Sequence, residues 1–214
     1  MYIPEHFEER DVAVLHALVN AHPLGAWVVP IDGQLIVNHI PFVLNVAPEP
    51  FGALVGHVAR GNPVWRALAA GVEAVVIFQG PQAYITPSWY PAKREHGKVV
   101  PTWNYAVVHA HGTARAIDDP EWLRRHVSEL TRVHEESREA PWSVADAPPA
   151  FTDAMLKGIV GIEIPIARLA GKWKASQNRT LPDRQGVIAG LAGQPGDEAR
   201  QMSRLVEARA RRAD

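Results

Sequence analysis

At 214 residues the chain is long enough to bury a core of its own, and it fits one domain or one domain with a helical appendage. Its 22 basic and 23 acidic residues leave a formal charge of -1, so there is no overall field to hold nucleic acid or an anionic membrane. With no cysteine, disulfides, thiolate nucleophiles, iron-sulfur clusters and thiolate zinc sites are excluded.

The opening MYIPEHFEERD has neither the basic start nor the apolar run of a secretion signal. No later apolar run reaches the ~18 residues of a membrane span, so the expectation is a cytoplasmic protein. Val12, Leu15 and Val19 recur at helical spacing within Glu8–Asn20, and Pro23 and Gly25 end that helix. Ala26–Val29 and Gln34–His39 read as strands joined by Asp32-Gly33, a tight-hairpin dipeptide because both positions tolerate positive φ. The apolar run Phe51–Val58 leads into Ala59-Arg60-Gly61-Asn62-Pro63. There Asn62 suits an N-cap, Pro63 the first helical position and Gly71 the stop of a short helix over Val64–Ala70. Ala74–Gln79 reads as a strand, Ala83–Thr86 as its return, and Val99–His111 as a long strand after the loop Pro87–Lys98. A helix is predicted from Asp118-Asp119-Pro120 to about Ser137, and another over Phe151–Lys157. Ile159–Leu169 reads as a strand interrupted at Pro165, and the tail beyond Pro182 as two helices broken at Gly193–Gly196. Short strands with hairpin chemistry that return after a helical excursion predict a mainly β, α+β fold: a small antiparallel barrel with peripheral helices. The expected division is a barrel domain over 1–179 and a helical appendage over 180–214. A glycine-rich dinucleotide fingerprint and a phosphate loop are both missing from the sequence.

Three stretches could carry chemistry. Gly80–Tyr105 places Trp89, Tyr90, Trp103 and Tyr105 beside Thr86, Ser88, Thr102 and Asn104, a composition suited either to a barrel end or to a surface that grips a flat, partly polar ligand. Arg60 beside the helix start at Asn62 could seat a phosphate monoester on free backbone N–H groups and a guanidinium. Lys172–Arg179 gathers cations, amides, a hydroxyl and an indole, a donor-rich run that complements a phosphate or a polarised carbonyl. His109 and His111, two apart on a strand, share a face as a metal pair would, but no third ligand at short spacing accompanies them, and no metal site is predicted.

Gly80-Pro-Gln-Ala-Tyr-Ile-Thr-Pro-Ser-Trp-Tyr90, Val100-Pro-Thr-Trp-Asn-Tyr105, Gly56-His-Val-Ala-Arg-Gly-Asn-Pro63 and Lys174-Ala-Ser-Gln-Asn-Arg179, taken in order, resemble the PaiB family of FMN-binding negative transcriptional regulators. The resemblance implies an FMN-binding split barrel, a homodimer with sites between subunits, and FMN as cofactor. It implies a site formed by His57, Arg60 and Asn62, by Ser88, Trp89 and Tyr90, by Thr102, Trp103 and Asn104, and by Lys174, Gln177, Asn178 and Arg179. Flavin-dependent redox chemistry on a small substrate is the first functional expectation. The alternatives are a ligand-sensing regulator without turnover, and a haem-binding barrel using His39, His57, His109 or His111. Direct DNA binding is not expected: there is no helix-turn-helix or zinc module, and the basic end is limited to Arg209, Arg211 and Arg212.

Overall fold

Turn chemistry and side-chain alternation set the course of the chain in the computed structural model, which describes residues 1–211; Arg212 lies outside the described residues. The strands are β1 (Glu8–Glu9), β2 (Leu24–Ile31), β3 (Gln34–Pro41), β4 (Val43–Asn45), β5 (Ala53–Ala59), β6 (Val72–Ile85), β7 (Thr102–Ile117) and β8 (Ile159–Lys174). The helices are α1 (Val12–Ala21), α2 (Ala92–Glu95), α3 (Pro120–Glu135), α4 (Pro149–Leu156), α5 (Leu181–Ala192) and α6 (Asp197–Arg211). The strands hydrogen-bond in the order β3-β2-β6-β7-β8-β5-β4, with β1 added to β8. None of these helices is long and apolar enough to cross a membrane.

The Asp32-Gly33 hairpin forms as its chemistry requires: φ is 51° at Asp32 and 76° at Gly33, and Ile31 faces Gln34 across the turn. Asn62 caps the following 3-10 turn, its side chain accepting from the Val64 N–H, with Pro63 at the first position. The initial helix starts later than its periodicity predicts, because Glu8 and Glu9 pair with Lys172 and Gly171 as a short strand. Ala74–Gln79 and Ala83–Thr86 are not a strand and its return but parts of one strand, β6. Pro81 lies beyond Val75–Ile77, the stretch that pairs with β2, so its missing N–H removes no bond from that ladder. Nor does Pro165 interrupt β8, since it faces Ala53 at the end of the β5 pairing.

The chain divides into two compact units. The first comprises Met1–Leu18, Gln79–Val108 and the chain from Ala170 onward. Its core joins Ile85, Tyr90 and Ala175 to Val187 and Leu191 of α5 and to Met202 and Val206 of α6. The Trp89 indole lies against α5 so closely that a Cβ at Gly190 would come within 2.3 Å of the ring. At the other end of this unit, Arg209 of α6 pairs with the buried Glu9 carboxylate and sits 5.5 Å from the Trp173 ring centroid.

The second unit comprises Val19–Phe78 and His109–Leu169, with Trp27, Leu54, Phe78, Ile162 and Ile164 fully buried. Asp119 caps α3 by accepting from the Trp122 N–H at 2.6 Å, and Pro120 opens it. One rung of the sheet receives this helix. Trp122 lies over Gly161, where a Cβ would meet the indole at 2.3 Å, and His126 reaches His57, the cross-strand partner of Gly161.

Candidate functional site: an open sheet face bearing rings and cations

Side-chain alternation gives the first unit's strands two unlike faces. Ala83, Ile85 and Ala175 turn into the helical core, and Gly171 meets Leu15 of α1. The residues between and beside them, Gln82, Tyr84, Trp103, Tyr105, Lys172 and Lys174, belong to the opposite face. The Trp103 indole N–H donates to the Gln82 amide oxygen at 3.0 Å, and the Tyr84 and Trp103 rings meet edge to face with centroids 6.1 Å apart. Lys172 Nζ stands 5.4 Å from the Tyr105 ring centroid and 5.7 Å from that of Tyr2, and donates to the Tyr2 carbonyl at 3.1 Å. Lys174 Nζ donates to the Trp103 carbonyl at 2.7 Å and to the Thr102 hydroxyl. Tyr84 is 51% exposed and Trp103 49%, so this face is open at these rings, while Lys172 is buried against Tyr2 and Tyr105.

Its electrostatics are one-sided. Burial, together with the charges of Lys172 and Arg179, holds the Lys174 ammonium below the ordinary lysine range. The Arg179 guanidinium lies 4.9 Å from the Tyr90 ring centroid. The described residues offer Lys172, Lys174 and Arg179 carbonyls, a hydroxyl and π faces, but no ion-pairing carboxylate. Lys172 and Lys174, held without a carboxylate partner, accommodate an anion readily, whereas Arg179 shares its cavity with Asp183 and Glu95.

The residues expected at the site serve in different ways. Thr102 and Trp103 meet Lys174 at the start of β7, the first through its hydroxyl and the second through its carbonyl. Asn104 is buried at 1% exposure and donates to the Ser176 hydroxyl at 2.9 Å. Gln177 folds back on its own loop, its amide accepting from the Ala175 N–H and donating to the Trp173 carbonyl. Asn178 and Arg179 line a cavity of about 340 Å³ together with His96, Lys98 and Asp183. Ser88 accepts from Lys93 Nζ at 3.1 Å, Trp89 packs on α5, and Tyr90 is buried, its phenol pushed up by burial.

His57, Arg60 and Asn62 belong to the second unit. The Arg60 guanidinium grips Asp118 with two bonds of 2.8 and 2.6 Å, and donates to the carbonyls of Lys157 at 2.7 Å and Ile159 at 3.0 Å. Asn62 adds to its cap a bond to Asn38 at 2.8 Å. His57 Nδ1 lies 3.1 Å from His126 Nε2, and burial holds both imidazoles below their ordinary range, His126 to about 4. The His109 and His111 rings lie 6.2 Å apart, and burial lowers His109 to about 4. Among the described residues no cluster of three potential metal ligands forms.

Sequence reasoning did not single out Gln82 and Tyr84, and it held Lys172 and Ser176 only as members of the donor-rich run, without the partners that the structure gives them. A signal was there: Gln82-x-Tyr84, Trp103-x-Tyr105 and Lys172-x-Lys174 each repeat at the two-residue period that puts side chains on one strand face.

An eight-stranded antiparallel sheet with peripheral helices, presenting rings and cations on one uncovered face, defines a protein of the flavin-binding split-barrel class. The chain is similar in fold to the FAD and haem binding protein from Mycobacterium smegmatis, with a TM-score of 0.60 at 20% identity over 86% of this chain and 80% of that one. Residues 1–168 match the family model described as "Putative FMN-binding domain", and the chain belongs to that family. It is 35% identical over 207 residues to the protease synthase and sporulation protein PAI 2 of Bacillus subtilis, covering 97% of each chain. It is likewise 35% identical to an uncharacterised protein of Emericella nidulans, covering 100% of this chain and 99% of that one. The resemblance to the PaiB family is borne out.

Proposed function

We propose that the chain binds FMN on the open face of its first unit, as a homodimer in which a second copy covers that face. The observation that carries this reading is Lys174, an ammonium with no ion-pairing carboxylate, held beside the exposed ring of Trp103. Lys174 and Arg179 would hold the phosphate, Trp103 and Tyr84 would lie along the isoalloxazine, and Gln82 and Thr102 would meet its polar edge. Arg60 is a poorer phosphate seat. A guanidinium has about five N–H donors, and the bonds to Asp118, Lys157 and Ile159 occupy four of Arg60's.

The residues fit the cofactor in chemistry as well as number. The neutralising charge that Lys174 lacks is what a phosphate monoester brings, and a flat aromatic shelf is what a tricyclic ring stacks on. Ligand sites usually bury most of their ligand, whereas an open sheet face cannot, so a covering second copy is part of the reading. When bound, the flavin supplies the redox chemistry, and the chain's own residues orient it and shield it from water. A small oxidisable or reducible substrate would share the covered space.

Titration of the purified chain with FMN tests this. The expected result is saturable quenching of tryptophan fluorescence, one flavin per chain, and a dimer by light scattering. A monomer that leaves FMN free at concentrations of about 100 μM, a binding energy near 5 kcal/mol, overturns the reading.

A further inference from the structure

Resting on that reading, we propose that Ser176, held by Asn104, is the residue that positions the phosphate seat. Ser176 is a non-glycine residue in the left-handed region, with φ at 62°, and it is 3% exposed. Such a conformation is unfavourable for any residue with a Cβ and persists only where its surroundings hold it, often at a functional site. Glycine would adopt this turn without that cost. What serine adds is the hydroxyl, which accepts from the Asn104 amide at 2.9 Å.

The turn does two things. Its carbonyl accepts from the Arg179 N–H at 3.0 Å, while Gln177 braces the chain from Trp173 to Ala175, so the loop closes on itself and brings Arg179 back over Tyr90. It also interlocks with the start of β7: Lys174 binds the Thr102 hydroxyl and the Trp103 carbonyl, and Ser176 binds Asn104, the next residue along. The same three residues of β7 thus fix the loop on either side of its bend. The Asn104 amide oxygen is buried without a partner, so this side chain's only bond among the described residues is the one to Ser176. Remove the hydroxyl and the bend remains, but the Lys174 amine is no longer set in place relative to the rings.

Ser176→Gly is the informative variant, because it keeps the left-handed turn, relieves its steric cost and deletes the side chain that bears the hydroxyl; Ser176→Ala, which deletes only the hydroxyl and keeps the cost, is the control. Two readouts are taken on the full chain. In the ligand-free protein, acylation of the Lys174 amine by an amine-reactive ester is followed by peptide mass spectrometry against Lys93 as reference. Dissociation constants are measured for FMN and for riboflavin. In Ser176→Gly the thermal midpoint should fall less than in Ser176→Ala, Lys174 acylation should rise about fivefold, and FMN should weaken about tenfold while riboflavin stays within about twofold. Unchanged acylation and an unchanged FMN to riboflavin ratio overturn the proposal. If the wild-type chain binds neither flavin, the flavin reading has failed and the acylation rate alone decides the role of Ser176. If FMN binds normally and both readouts ignore Ser176→Gly, the flavin reading stands and the positioning role falls.

Discussion

Acidification should loosen α3 through one buried histidine. His126 is 5% exposed, stacked on Trp122 with ring centroids 5.3 Å apart, and joined to His57, while its Nδ1 is buried without a partner. Asn45, Arg125 and Glu129 line the small cavity beside it. Burial, aided by His57, lowers it from 6.5 to about 4. The unfolded chain therefore binds the proton more tightly than the folded one, so stability is retained above pH 6.5 and lost as pH falls toward 4. Between pH 7 and 4.5 the linkage relation gives a loss of about 2–3 kcal/mol from this group, or about 5–10 °C in thermal midpoint for a chain of this size. His109 is lowered similarly and adds to the slope, but it does so equally in a variant that keeps it. The assay is urea unfolding from pH 7 to 4.5 for the wild type and His126→Leu. The variant is expected to be less stable at pH 7, having lost the bond to His57, yet to lose about 2 kcal/mol less on acidification. Parallel pH profiles for the two proteins would refute the reasoning.

Other substitutions probe other links in the structure. Gly190→Ala forces a Cβ within 2.3 Å of the Trp89 indole and should destabilise the first unit by about 1–3 kcal/mol, measured by chemical denaturation. Arg209→Ala removes one partner of the buried Glu9 carboxylate, which keeps the Asp11 N–H, and should cost about 1–3 kcal/mol at pH 7 by the same measurement. Trp103→Ala, on the open face, should change stability by no more than about 0.5 kcal/mol while weakening FMN about tenfold in fluorescence titration.

The local features of the fold were legible because their physics is local. Asp32-Gly33 needs only two residues that tolerate positive φ, Asn62-Pro63 only a cap and a fixed φ, and the α5–α6 break only Gly193–Gly196. Gly80-Pro81 misled because β6 runs on beside β7 after its pairing with β2 has ended at Ile77. What stayed hidden was long-range. Nothing near Arg60 announces that Asp118, Lys157 and Ile159 will take up its guanidinium, and nothing near Gln177 shows that its amide closes its own loop. Trp89 and Tyr90 read as ring-flanking aromatics from composition, yet Tyr90 is buried in the core and Trp89 packs on α5, because aromatic area is as useful inside as at a site. The lysine pair on β8 was visible as a donor-rich run, while its freedom from carboxylates became visible only once the strands were side by side.

The measurement that bears most directly on the location of the flavin is the affinity of Lys174→Met for FMN and riboflavin, set beside Arg60→Met. If the phosphate lies at Lys174, its loss weakens FMN by about tenfold or more, leaves riboflavin within about twofold, and exceeds the effect of Arg60→Met on the FMN to riboflavin ratio. Equal weakening of both flavins by Lys174→Met, or selective loss of FMN in Arg60→Met alone, would contradict it.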